Sequence, residues 1–251
     1  MKIVRAIKQT RHFLAGAMLL LALAGTLPAQ WQPDESTNLL QRMFSPGDFT
    51  TKGFGPARWM DKGATYTTVE PAAGQKEAHE IVRYNTATGE RSVLVSAAEL
   101  TAPGAKAPLA IDDYAWSSDG NCLLLFTNAK PVWRDETRGD YWVLDRQKKT
   151  LRKLGGNAPE SSLLFAKFSP DASRVAYVRQ NNIYVEHLAT GKIVQITRDG
   201  SDSIINGTTD WVYEEELALR DAFRWSPDGT KIAYWQFDRS EERRVGKECR
   251  L

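Results

Sequence analysis

From about residue 59 onward, short apolar runs alternate with polar turns, and the runs are too short for helices of a buried core. Cys122-Leu123-Leu124-Leu125-Phe126, Val175-Ala176-Tyr177 and Ile232-Ala233-Tyr234 are three of them. Each follows the same punctuation, an aromatic residue and then Ser-x-Asp-x. The copies are Trp116-Ser117-Ser118-Asp119-Gly120, Phe168-Ser169-Pro170-Asp171-Ala172 and Trp225-Ser226-Pro227-Asp228-Gly229. A worn copy, Trp59-Met60-Asp61-Lys62-Gly63, precedes Thr65-Tyr66. The anchor aromatics at 59, 116, 168 and 225 are spaced by 57, 52 and 57 residues, which marks an internal repeat.

Ser-x-Asp-Gly predicts a tight turn, because Asp bonds nearby backbone and Gly tolerates positive φ. Between punctuation marks the pattern offers a second hairpin per repeat. Ile81–Gly89 turns into Ser92–Val95, Tyr141–Asp145 into Leu151–Leu154, and Ile183–Gly191 into Ile193–Thr197. Two hairpins make four strands, the content of one propeller blade. The expected fold class is therefore all-β, a partial β-propeller of about four repeats over residues 59–238. Residues 30–58 form a less regular N-terminal segment, with a short helix expected over Asp34–Met43 and loops over Gly47–Pro56 and Ala102–Pro108.

Composition changes this picture little: 42% hydrophobic and 25% charged residues are ordinary for a globular chain of 251 residues. A net charge of +2 with no basic stripe gives no support for a nucleic-acid partner. The first residues stand apart. Lys2, Arg5, Lys8 and Arg11 precede an apolar stretch, Phe13–Leu27, and then Leu27-Pro28-Ala29. This is the pattern of a secretory signal peptide over residues 1–29, the apolar run being shorter than the roughly 20 residues a spanning helix needs. A periplasmic or secreted protein is expected. Cys122 reads as a buried reduced thiol and Cys249 lies in an irregular tail, so no disulfide framework is expected.

The densest chemistry is Asp210-Trp211-Val212-Tyr213-Glu214-Glu215-Glu216. Adjacent carboxylates repel one another unless a cation or solvent compensates, so acids facing a cavity make a receptor for a positive group. The plain alternative is a solvated helix beginning after a Thr209 or Asp210 cap, since acids favour that end. A helix could also present the acids, so the two readings are compatible.

This segment, with Arg224–Tyr234 after it, closely resembles the substrate-amine motif of the dipeptidyl peptidase IV family. The resemblance runs from about Leu39 to Asp238, loosely in the first repeat and tightly from Thr208 onward. It implies a β-propeller that gates an α/β-hydrolase domain elsewhere in the same parent chain. It also implies that Glu215 and Glu216 grip the free N-terminal ammonium of a peptide, with Glu214 facing outward or supporting the turn. Trp133-Arg134 matches a family dipeptide whose Arg bonds a substrate carbonyl near the Glu pair. An Arg suits that role because its charge is permanent and its donors form a rigid fork. Alternatively Arg134 pairs on the surface with Asp135 or Glu136, and Arg138 competes locally for the role.

No Gly-x-Ser-x-Gly elbow occurs in the sequence, and its three histidines, His12, His79 and His187, suggest no Ser-His-Asp set. No metal-ligand spacing or Gly-rich phosphate loop appears, so no cofactor or metal is expected. The chain is expected to be inactive alone. By resemblance it is the propeller of a serine-type dipeptidyl peptidase that acts on peptides with a free N-terminus, and the full-length protein could be a homodimer. The alternative is a non-catalytic periplasmic propeller for binding or scaffolding, which shares the Ser-Pro-Asp-Gly repeat but has no need of the acidic segment. An endopeptidase or acylaminopeptidase relative is a second rival, and it would not need an amine clamp either.

After Asp238 the strand alternation stops. Residues 239–251, Arg239-Ser240-Glu241-Glu242-Arg243-Arg244-Val245-Gly246-Lys247-Glu248-Cys249-Arg250-Leu251, are dense in charge and resemble the translation of a short-read sequencing adapter. The expectation is a non-native tail. A long read of the source locus through the Asp238 codon should show a different continuation, leading to a Gly-x-Ser-x-Gly elbow. Finding the codons for 239–251 intact in the genome would end this reading.

Overall fold

A computed structural model describes residues 34–45, 49 and 54–240, by backbone alone at 76 and 77. The segment 1–29 and tail residues 241–251 lie outside the described residues, as does most of the expected loop over 47–56. The chain divides into two units, Met1–Gly53 and Phe54–Leu251. In the first, helix α1 (Glu35–Phe44) starts where Asp34 accepts a hydrogen bond from Thr37 N at 2.7 Å. That is the short helix expected from the sequence. No helix among the described residues is long and apolar enough to cross a membrane.

The second unit is a partial β-propeller. Strands β1 (Ala57–Met60), β2 (Thr65–Ala72), β3 (Gln75–Asn85) and β4 (Arg91–Val95) form an antiparallel meander, the first blade. The second comprises β5 (Asp113–Trp116), β6 (Cys122–Lys130), β7 (Arg138–Asp145) and β8 (Thr150–Lys153). The third comprises β9 (Leu163–Phe168), β10 (Arg174–Arg179), β11 (Asn182–His187) and β12 (Ile193–Gln195). Blades two and three also touch edge to edge, where Arg138 and Gly139 pair with Leu164 and Leu163.

The fourth repeat is built differently. Its strands are β13 (Ile204–Asn206), β14 (Phe223–Trp225), β15 (Ile232–Tyr234) and β16 (Gln236–Asp238). β14 pairs with β15 and β13 pairs with β16. Between them, Gly207 N donates to Trp235 O, Trp235 N to Ala222 O and Ala222 N to Gly207 O, at 2.9–3.2 Å. β13 and β14 are thus two halves of one strand facing a continuous partner, interrupted by residues 208–221. A bridge between Thr208 and Asp221 closes the root of that arm.

The repeated turn recurs with the same bonds at each full copy. Ser117, Ser169 and Ser226 each donate Oγ–H to the Asp two residues on, at 2.5–2.6 Å. Each serine Oγ also accepts the backbone N–H five residues on, at 2.9–3.0 Å, which starts the next strand. The Ser169 and Ser173 hydroxyls hold the Asp171 carboxyl down to about 2, so this turn stays ionised over the working pH range. The fourth residue must take positive φ, which Gly120 and Gly229 do at 68° and 69° and Ala172 does at 54°. Neighbouring blades are linked at these turns, by Ser118 Oγ to Pro170 O at 2.7 Å and by Arg174 Nη2 to Gly229 O at 2.8 Å.

The core lies between the blades. Successive strand residues point to opposite faces, and here both faces are covered. On β6, Leu123 and Leu125 pack toward the first blade, with Ile81, Val95 and Tyr114. Leu124 packs the other way, with Val175 and Tyr177 of the third. β10 repeats the division, Ala176 and Val178 packing with Phe223 of the fourth repeat. A half-buried ion pair adds to the second junction: Arg152 Nη1 lies 2.5 Å from Glu186 Oε1, and Glu186 is 2% exposed. Cys122 is free and half-buried, and burial pushes its thiol pKa up.

Two stability changes follow. Ala172→Gly relieves a left-handed backbone and should raise the melting temperature, by an equivalent of about 1 kcal/mol. Leu123→Ala empties the junction of the first two blades and should lower urea stability by about 2–5 kcal/mol. A loss well below 1 kcal/mol would mean that this junction does not hold the blades together.

Candidate functional site

The arm carries helix α2 (Trp211–Leu217), and its sequence explains where it starts and stops. Asp210, buried at the N-cap, accepts from Tyr213 N at 3.3 Å. Ala218 ends the helix in a left-handed conformation, with its N–H on Tyr213 O. The two legs of the arm are tied together, Thr209 Oγ1 to Leu219 O at 2.7 Å and Thr208 Oγ1 to Arg220 O at 3.2 Å. At the root, a Cβ on Gly207 would sit 2.8 Å from Ile183 Cγ1, so only glycine lets the arm leave the sheet this close to the third blade. Tyr213 packs edge-on to Phe237 and Trp235, which seats the helix on the β15–β16 strand.

The three glutamates take three different environments. Glu214 is 6% exposed, and its Oε1 accepts from Arg134 N and Asp135 N, both at 3.3 Å. It neither faces outward nor supports its own turn; it supports a loop 80 residues away. Glu215 is paired with Arg134, Nε to Oε1 at 2.6 Å, and its side chain is 8% exposed. Glu216 is exposed, and its side chain has no hydrogen-bond or ion-pair partner among the described residues. Glu215 and Glu216 fall in the last turn of α2, where the helix dipole disfavours acids. The expectation that the acids merely begin a solvated helix therefore fails for these two: the cap is Asp210, as that reading had it, but only Glu214 benefits from the start of the helix.

Arg134 lies in the loop between β6 and β7. Of the partners open to it from sequence, it takes neither Asp135 nor Glu136. Asp135 instead forms an ion pair with Arg220, on the returning leg of the arm. Arg138 begins β7, opposite Lys130 in the ladder, and forms no ion pair with Glu215. The structure thus brings Arg134 and Glu215 together and leaves Glu216 beside them on the same helix turn. Sequence reasoning missed Arg220 and the burial of Glu214. A basic residue three positions after the helix was a faint signal for the first; three like residues in a row gave none for the second.

One guanidinium against two carboxylates leaves this group with a single negative charge, the complement of one cation. The Arg134 side chain is 78% exposed, so most of its donors remain available. A cleft of about 920 Å³ adjoins the group. Trp133, Arg138, Phe165, Thr208, Glu214 and Arg220 are among its walls, whereas Arg134, Glu215 and Glu216 are not. Arg134, Glu215 and Glu216 therefore stand at the edge of the cleft rather than inside it.

Antiparallel four-stranded blades stacked face to face, with an acidic arm interrupting the fourth, define a partial β-propeller. The model of the dipeptidyl peptidase IV (DPP IV) N-terminal region matches residues 117–245, just over half of the chain. The chain belongs to this family. It is 34% identical over 134 residues to the probable dipeptidyl-aminopeptidase B of Aspergillus clavatus, covering 53% of this chain and 15% of that relative. With the probable dipeptidyl-aminopeptidase B of Sordaria macrospora it shares 41% identity over 119 residues, 47% of this chain and 13% of the relative. The crystal structure of Porphyromonas gingivalis dipeptidyl peptidase 4 superposes with a TM-score of 0.65 at 34% identity, over 75% of this chain and 26% of that one. The chain thus spans about a seventh of the length of the curated relatives it matches.

Lys167 anchors the base of the arm. Its ammonium pairs with Asp221, donates to Phe223 O at 3.0 Å and lies 3.7 Å from the Phe223 ring centre. Burial outweighs the Asp221 carboxylate and lowers its pKa to about 8. The folded protein then holds fewer protons than the unfolded chain between pH 8 and the free-lysine value of 10.5, so stability should rise with pH across that window. In urea titrations the wild type should gain on Lys167→Gln over this range; a constant gap would contradict the assignment.

Proposed function

We propose that this chain is the substrate-gating propeller of a secreted or periplasmic serine exopeptidase that removes dipeptides from peptide N-termini. In this reading Glu215 and Glu216 bind the terminal ammonium and Arg134 donates to a nearby substrate carbonyl. The observation that carries it is the Arg134–Glu215 contact at 2.6 Å with an exposed Glu216 beside it that has no partner among the described residues. A peptide ammonium offers three donors, and two carboxylates can satisfy them directly. Glu215 is already desolvated and neutralised by Arg134, so the second carboxylate is the one whose charge the ligand must meet.

Holding the amine also measures length, because a fixed N-terminus presents the bond two residues in to whatever group cuts it. That group belongs to an α/β-hydrolase domain of the longer protein, and residue preference at the scissile bond is set there. The names of the dipeptidyl-aminopeptidase relatives support this assignment.

The test is kinetic and uses the protein encoded by the complete gene. Glu216→Gln keeps an acceptor but removes the carboxylate charge that meets the ammonium, a loss of about 1.5–3 kcal/mol, and should lower kcat/KM for free-amine dipeptide substrates by about 10–150-fold, with KM raised. Unchanged kinetics would rule out the amine clamp.

A further inference from the structure

The three consecutive glutamates differ in what they hold, and this separates one of them from ligand binding. We propose that Glu214 is a positioning residue: its buried carboxylate, with the Asp135–Arg220 ion pair, fixes the β6–β7 loop against the arm so that Arg134 meets Glu215. The inference rests on the reading of Arg134 and Glu215 as the recognition group, and goes beyond it by assigning the machinery that assembles them.

Three links join the loop to the arm. Glu214 Oε1 takes the backbone N–H groups of Arg134 and Asp135, each at 3.3 Å. Asp135 reaches Arg220 at the far leg. Arg134 itself reaches Glu215. The first two act on the backbone and on a neighbouring side chain, leaving the Arg134 guanidinium one anchor among the described residues. Without them a side chain that is 78% exposed would have to find Glu215 by the ion pair alone, and exposed ion pairs hold geometry weakly.

The links also resist loss in a particular way. Loops owe their conformation to where their backbone hydrogen bonds go, and this one sends two consecutive N–H groups to a single carboxylate oxygen. Glu214 as a residue is 6% exposed, so water is a poor substitute. The arm is held rigid in turn by its own cross-ties at Thr208 and Thr209 and by the Asp210 cap. Glu214 therefore transmits the position of the blade-rooted arm to a loop that belongs to another blade.

What Glu214 contributes is an acceptor, whereas what Glu216 contributes is a charge. The two roles part on substitution by glutamine. Glu214→Gln keeps an oxygen at the Oε1 position and should preserve the loop, whereas Glu214→Ala removes it. Hydrogen exchange resolved to single amides in the protein encoded by the complete gene reads the effect directly. In Glu214→Ala the Arg134 and Asp135 amides should exchange about tenfold or more faster than in the wild type, with Glu214→Gln near the wild type. Amides of β10 and β11 serve as the control, and their protection should stay unchanged.

Equal protection of the Arg134 and Asp135 amides in wild type and Glu214→Ala would overturn the proposal. So would equal deprotection across β10 and β11, which would make Glu214 a general stability residue. Kinetics of the complete gene product separates this proposal from the function it rests on. If Glu214→Ala lowers kcat/KM for free-amine substrates while Glu214→Gln restores it, both stand. If the amides behave as expected but neither Glu216→Gln nor Glu214→Ala changes kinetics, the positioning role stands and the amine clamp fails.

Discussion

The structure depends on one constraint: a blade with both faces apolar cannot bury itself. Leu123 and Leu125 look one way from β6 and Leu124 the other, so the second blade is stable only between two neighbours. The third is in the same position through Val175 and Tyr177 on one side and Ala176 and Val178 on the other. Each added blade completes the core of the one before it. The Ser-x-Asp turns serve this stacking as much as their own hairpins, since residues beside them bond the turn of the next blade.

The acidic arm is possible because the stacking tolerates an interruption. β13 and β14 share one continuous partner strand, and the ladder closes across the break through Gly207, Trp235 and Ala222. The sheet loses no pairing there, and residues 208–221 are free to leave it. Their exit is rooted in a packed core at Gly207 and Phe223, which gives a protruding helix a fixed base. A helix of one and a half to two turns has little stability of its own. Here the Asp210 cap, the threonine cross-ties and Tyr213 against Phe237 replace the length it lacks.

On that base, position along the helix divides one residue type into three roles. Residues one apart on a helix point about a quarter-turn or more away from each other. Glu214 turns inward to a loop of the second blade, Glu215 meets Arg134, and Glu216 faces outward. The last two sit where the helix dipole disfavours acids. Stability of the helix does not account for them, whereas the proposed role in binding an ammonium would.

The sequence by itself determined the all-β class, the four repeats, the hairpins and the short helix after Asp34. These depend on local chemistry: an Asp or Gly in a turn, or an alternating strand, acts over a few residues and repeats at a readable period. It also singled out Arg134, Glu215 and Glu216, through a motif rather than through any period. Only the tertiary structure decided that Arg134 takes Glu215 over Asp135 or Glu136, that Asp135 takes Arg220, and that Glu214 is buried beneath the loop. Those choices are made between residues about 80 apart, brought together by how one blade stacks on another. A linear pattern carries the identity of such partners but not the distance between them.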